Sequence, residues 1–234
     1  MRIAELKTKI FGAEALRAMK EIYPYDVLSS LTGLSPQILS RYVTGHFLPN
    51  LERARTFIRI FREHVLKEAV LKNVEVRNNV VVNIRLLSNT RLLSQIAKAV
   101  ASEFIGKEVK IVLTKETDGI PFATLVANEI KANLVIAKQS KEVGVEEFIE
   151  VRQIYPSGIY SYVYVPKDLI SRGDRVLIVD DIIRSGSTIR ALIEICHSVR
   201  ADIVGVCAIV AIGNGVDRLT EEYGIPVNVI ARLR

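Results

Sequence analysis

Apolar positions along this chain change their period twice. Through the first seventy residues they recur at helical spacing, starting around residues 13–22 and restarting near Tyr25. Residues 73–84, with the run Val-Glu-Val-Arg-Asn-Asn-Val-Val-Val, alternate as a short hairpin with Asn78-Asn79 at the turn. From Ser88, which caps an amphipathic helix, short apolar runs such as 109–113 and 134–137 alternate with helical stretches such as 122–131. That order predicts an all-helical segment over 1–72, a β-hairpin linker over 73–87 and an α/β unit over 88–234. The alternation implies a doubly wound parallel sheet with ligands at the carboxyl ends of its strands.

Within the helical segment, residues 26–45 read as two short helices joined by a tight turn. Val27, Leu28 and Leu31 form the apolar stripe of the first. Gly33 stands where the turn needs positive φ, Leu34 fills the corner, Ser35 is the N-cap and Pro36 the first helical residue. Ile38, Leu39 and Tyr42 then face inward, leaving Gln37, Ser40, Arg41 and Thr44 outward. Gly45 stops the helix, and Pro49-Asn50 precede another that starts at Leu51.

Residues 176–188 carry the chemistry. Val-Leu-Ile-Val runs straight into Asp180-Asp181, then Ile-Ile-Arg-Ser-Gly-Ser-Thr leads into a helical pattern over 189–199. A continuous apolar run reads as a buried parallel strand. The loop after it offers small residues and backbone N–H groups at a helix N-terminus, where the dipole favours phosphate. Asp180 and Asp181 on the rim suit ribose hydroxyls or a Mg²⁺ ion. The pattern describes a site for a phosphorylated sugar.

The net charge is +6, and residues 1–70 hold eleven Lys and Arg against seven Asp and Glu. Nearly half the residues are apolar, yet no run approaches the roughly 20 residues of a membrane span. The start lacks a signal peptide's apolar core. Cys196 and Cys207 read as buried thiols, so the chain is expected to be cytoplasmic. Absence of Trp, with abundant Ile, Val, Lys, Arg and Glu, fits a thermophilic source.

The 176–188 segment resembles the phosphoribosyl pyrophosphate (PRPP) motif of type I phosphoribosyltransferases. By that resemblance, Asp180, Asp181, Arg184, Ser185, Gly186, Ser187 and Thr188 bind PRPP, with Asp180 and Asp181 also toward Mg²⁺. The turn Thr114-Lys-Glu-Thr-Asp-Gly-Ile-Pro121 resembles the family's pyrophosphate loop, which implicates Glu116, Thr117, Asp118 and Gly119. Lys138 and Lys141 resemble its basic pair facing pyrophosphate. Residues 142–161 stand in the place of its catalytic flexible loop, without an assignable catalytic residue. Gly213, Asn214, Gly215 and Val216 match the segment with which purine-type members recognise the base.

Residues 26–45, with the Ser-Arg-Tyr-x-x-Gly-x-x-x-Pro run at 40–49, resemble the helix-turn-helix of lambda-type repressors. That resemblance implies operator DNA as partner. Gln37 and Arg41 would read bases, and Ser35, Ser40, Thr44 and His46 would lie along the backbone. Arg184 takes the place of an aspartate that handles the purine N7 proton in hypoxanthine–guanine enzymes. An arginine stays protonated and cannot serve there. Adenine enzymes usually have a small residue, whereas purine-repressor-type sensors have a basic one. The expectation is therefore a dimeric transcriptional regulator that senses PRPP or a purine nucleotide and is not an enzyme. The alternative is an active adenine-type purine phosphoribosyltransferase with an accessory N-terminal domain.

Overall fold

The computed structural model describes residues 3–77 and 80–233. Its first helix, α1 (Ile3–Ile22), starts well ahead of the periodicity, because Thr8 and Phe11 extend the buried face toward the N-terminus. Helix α2 (Tyr25–Thr32) ends at Gly33, whose φ of 70° lets its N–H reach the Ser29 carbonyl. Helix α3 (Pro36–Val43) follows. Ser35 holds its N-cap position in extended backbone, without a capping bond from its side chain. Leu28, Leu39 and Tyr42 are buried as the spacing requires. Val27, expected on the stripe, lies largely outward, because Leu28 sets the face that meets the neighbouring helices.

Helix α4 (Leu51–Phe61) is capped by Asn50, which accepts from the Arg53 N–H at 2.8 Å. One π-helical turn, Arg62–Leu66, leads into α5 (Lys67–Lys72). Strands β1 (Glu75–Arg77) and β2 (Val80–Val82) pair antiparallel, Glu75 opposite Val82. The turn expected at Asn78 and Asn79 lies outside the described residues. Next come α6 (Ile84–Ser88) and α7 (Thr90–Glu103). The α7 cap is Asn89, which accepts from the Leu92 N–H, rather than the expected Ser88.

The α/β part holds β3 (Ile111–Lys115), α8 (Ile120–Ile130), β4 (Asn133–Ala137), β5 (Phe148–Ile154), β6 (Tyr160–Pro166), β7 (Arg175–Ile183), α9 (Ser187–Val199), β8 (Asp202–Ile212), α10 (Gly215–Tyr223) and β9 (Val227–Leu233). Five strands form a parallel sheet in the order β4-β3-β7-β8-β9. The continuous apolar runs are explained by burial on both faces. Leu177 and Val179 join the core under α7 and α8, while Val176 and Ile178 join the core under α9. Residues 142–161, expected as a flexible loop, instead supply β5 and the start of β6. Those two strands pair antiparallel with Glu150 opposite Tyr164, and Ile149, Val163 and Val165 are buried in the α9 core.

One core runs from Leu16, Leu28 and Phe57 in the N-terminal helices to Leu93, Ile96 and Phe122 in the α/β part. Arg62 adds a polar tie: it pairs with Glu103 and donates to the Val229 carbonyl at 3.1 Å. Arg62→Ala strands that carboxylate and that carbonyl. It is expected to cost about 1–3 kcal/mol, read as a lower urea midpoint at unchanged slope. Cys196 and Cys207 are free and buried, and burial pushes both thiols up to about 12. Among the described residues no helix is long and apolar enough to cross a membrane.

Candidate active site

The winding of the sheet reverses between β3 and β7. From β3 the chain passes through α8 outward to β4, and from β7 through α9 to β8 on the other side. Open α/β sheets bind ligands in the crevice at such a reversal, beyond the carboxyl ends of the strands. Here β3 and β7 pair only over Ile111–Leu113 with Val176–Ile178, so their last residues separate into that crevice.

Three of the segments singled out from sequence meet there. Residues 116–119 turn directly off β3, and residues 184–188 leave β7 and enter α9. Residues 213–216 leave β8 and enter α10. Their proximity is tight. A Cβ on Gly119 would stand 2.7 Å from both Asp180 Oδ1 and Thr114 Oγ1. A Cβ on Gly215 would be driven into the Arg184 carbonyl oxygen, 2.8 Å from its carbonyl carbon and 3.2 Å from the Gly186 nitrogen. Only glycine lets these backbones approach so closely.

The α9 N-terminus is built as a cradle. Gly186 occupies the N-cap position and lends no capping side chain, so the first N–H groups of α9 face the loop. Ser185 Oγ donates to Ser187 Oγ at 3.2 Å and accepts weakly from the Ser187 N–H. Arg190 clamps the loop, donating to the Ser185 carbonyl at 2.9 Å while pairing with Glu222 of α10. Arg184 lies on the exposed rim, and its carbonyl packs on Gly215.

Asp180 and Asp181 are both buried. Burial holds Asp180 well above the usual carboxylate range and the Asp181 carboxylate adds to this, while Lys115 offsets part of it. Asp181 is also raised, chiefly by burial, with Asp118 pushing the same way and the hydrogen bond with Asp180 opposing. Asp180 Oδ1 accepts from the Asp181 N–H at 3.0 Å. The two carboxylates therefore sit in a place that favours an additional cation or several hydroxyl donors.

The basic pair is engaged with acids. Lys138 Nζ pairs with Glu142 at 2.7 Å, and Lys141 pairs with Glu150 while lying over the Phe148 and Tyr164 rings. Glu116 turns back to accept from the Gln139 N–H at 2.6 Å, Thr117 and Asp118 are exposed, and the Glu116–Thr117 peptide is cis. Gly213 and Asn214 are exposed, whereas Gly215 and Val216 are buried.

Two side chains at this site carried no motif in the sequence. Asn83, just after β2, donates through Nδ2 to Asp181 Oδ2. Gln153 of β5 donates through Nε2 to Thr188 Oγ1 at 3.2 Å and toward Ser187 Oγ at 3.4 Å. The signal for Gln153 was a polar residue at an inward place, two after Val151 and four after Ile149. No periodicity marks Asn83.

The candidates for DNA contact lie at the N-cap of α3, along it and just beyond it. Ser35, Gln37, Arg41, Thr44 and His46 are exposed and Ser40 is half-buried. Arg41 lies over the Phe47 ring, and Thr44 Oγ1 donates to the Ser40 carbonyl and meets His46 Nδ1 at 2.7 Å.

A family model described as the phosphoribosyl transferase domain matches residues 84–227. Xanthine phosphoribosyltransferase of Streptococcus equi subsp. equi (strain 4047) is 29% identical over 147 residues, covering 62% of this chain and 76% of the relative. The protein of the same description from Streptococcus pyogenes serotype M5 (strain Manfredo) is 30% identical over 148 residues, with the same coverage. Among solved structures, adenine phosphoribosyltransferase from Rhodothermus marinus DSM 4252 superposes with a TM-score of 0.64 at 20% identity. That likeness covers 72% of this chain and 98% of the other, and it speaks for the fold. These likenesses are to transferases named for purine bases, and they overturn the expectation of a non-enzymatic regulator acting on operator DNA. That expectation leaned on Arg184. An arginine there excludes one way of handling a purine proton, but it does not exclude transfer.

Proposed function

This chain belongs to the phosphoribosyl transferase domain family, and we propose that it is a catalytically active purine phosphoribosyltransferase. A purine ring nitrogen attacks the anomeric carbon of PRPP. The bond from that carbon to the pyrophosphate oxygen breaks with its electron pair leaving on pyrophosphate, and the displaced ring proton passes to solvent. One observation carries the reading. An uncapped helix N-terminus, a second turn at 116–119 and two buried aspartates converge on the crevice where the sheet reverses.

In this reading residues 184–188 hold the 5-phosphate through the first N–H groups of α9 and the Ser187 and Thr188 hydroxyls. Asp180 and Asp181 accept from the ribose hydroxyls, with Asn83 orienting Asp181. Residues 116–119 hold the pyrophosphate. Lys138 and Lys141 join them by exchanging Glu142 and Glu150 for phosphate oxygens. Residues 213–216 face the base, which the descriptions of the relatives support as a purine. Residues 1–72 are read as an accessory helical segment joined through 73–87 to the transferase unit at 88–234.

The donor set fits Mg²⁺. Two adjacent carboxylates, each raised by burial, are what a small hard cation shared with substrate phosphates needs, although no described group of three His, Cys, Asp or Glu forms a complete cage. When bound, the ion would offset the charge gathering on departing pyrophosphate.

The test is pyrophosphate release from PRPP with adenine, xanthine, hypoxanthine or guanine, and identification of the nucleotide formed. Turnover with at least one base is expected. No turnover with any of the four overturns the proposal.

A further inference from the structure

Strand β5 presents Ile149, Val151 and Gln153 to its inner face, and the first two are apolar as an inner face requires. Gln153 is only 1% exposed. Its Oε1 is buried without a hydrogen-bond partner among the described residues, which costs stability. A glutamine held there despite that cost is held for its other end. Nε2 reaches the hydroxyls of Thr188 and Ser187, the first two residues of α9.

The direction of those bonds matters. An amide N–H only donates, so both hydroxyl oxygens accept from it. Ser187 Oγ accepts a second time, from Ser185 Oγ. With both lone pairs of Ser187 Oγ and one of Thr188 Oγ1 engaged from within the protein, the two hydroxyls have their own protons left to give outward. A phosphomonoester offers only acceptor oxygens to such a cradle. With the amide reversed, the hydroxyls would donate to Oε1 and turn lone pairs toward the anion, which would repel it.

We propose that Gln153 is a positioning residue that commits the Ser187 and Thr188 protons to a bound phosphomonoester, and that it ties the β5–β6 hairpin to the phosphate loop. The proposal rests on the reading that residues 184–188 hold the 5-phosphate. It does not make Gln153 catalytic, since the side chain acts through two hydroxyls and touches no reacting atom.

Gln153→Met keeps the volume and removes the donor. Gln153→Glu keeps the shape and makes the side chain an acceptor. Titration calorimetry with ribose 5-phosphate reads the phosphate loop, and titration with inorganic pyrophosphate reads the other turn. Gln153→Met is expected to weaken ribose 5-phosphate about 5-fold and Gln153→Glu about 50-fold, with pyrophosphate affinity unchanged. In turnover, KM for PRPP rises while kcat stays within about 2-fold. In a Ser187→Ala, Thr188→Val background the loss from Gln153→Met disappears, which a packing role would not produce. If Gln153→Glu fails to fold, the methionine variant decides. Ribose 5-phosphate binding by Gln153→Met as tight as wild type, or an equal loss in the hydroxyl-free background, removes the proposal and leaves the transferase reading standing. Wild-type protein that binds neither ribose 5-phosphate nor PRPP removes both.

Discussion

Alanine at Gly215 is expected to raise KM for PRPP by about 100-fold or more and to leave the protein folded. The added methyl group would meet the Arg184 carbonyl head-on and crowd the Gly186 nitrogen, and both belong to backbone that has no rotamer to escape through. Either the phosphate loop or the start of α10 must move by about an ångström. Misplacement on that scale costs about 10²-fold where binding depends on fixed geometry. The loop is held from the other side by Arg190, whose bonds to the Ser185 carbonyl and Glu222 prevent easy accommodation. The residue lies at the first position of α10, where alanine is a better helix former than glycine, so local propensity opposes the loss. Steady-state kinetics with a thermal melt on the same sample checks this. A KM within about 3-fold of wild type would mean that the loop yields to the methyl group.

The second large effect separates activity from stability. Asp180→Asn and Asp181→Asn each keep the shape of a buried side chain and remove its charge. Turnover is expected to fall by about 100-fold or more with either, because an amide is a poor partner for a divalent cation and no longer presents two acceptor oxygens to ribose hydroxyls. Stability is expected to move the other way at Asp180. Its folded-state pKa is raised above the ordinary value by burial and by Asp181. A raised carboxylate favours the fold fully below its unfolded pKa and penalises it as pH climbs through the folded value. Asp180→Asn should therefore melt above wild type at pH 7–8, and the gap should close as pH falls toward the unfolded value near 3.8. Melting curves over that range, run beside the turnover assay, check both halves. A variant less stable than wild type at pH 8 would show that the Asp181 N–H bond to Asp180 outweighs the relief of charge.

Part of this was written in local pattern. The run Val-Leu-Ile-Val-Asp-Asp requires a strand buried on both faces that ends in carboxylates, and Ile178 and Val179 do lie in opposite cores. The turn at Gly33 and the cap at Asn50 precede helices where local backbone chemistry puts them. Residues 116–119 and 213–216 could be placed after strands from sequence, because small and polar residues interrupt apolar runs there. Misreadings came where contacts are remote. Residues 142–161 are polar and glycine-bearing enough to pass for a loop, and they become a hairpin because Ile149, Val163 and Val165 find the α9 core. From sequence Arg184 speaks only through its side chain, whereas its position also contributes to the site's shape a carbonyl against Gly215.

By itself the sequence determined the strand–loop–helix order around 176–188, the alternation of strands and helices, and the acidic pair near the end of a buried strand, since each depends on neighbours within about ten positions and on backbone preference. Tertiary structure alone decided which strands lie side by side, and therefore that the turns after β3, β7 and β8 share one crevice. It also decided that Asn83 meets Asp181 and that Gln153 meets Thr188. It joined the N-terminal helices to the α/β core through Arg62, Glu103 and Val229. Those pairings join residues far apart in the chain. Their partners are selected by burial and shape across the folded molecule, which no local spacing encodes.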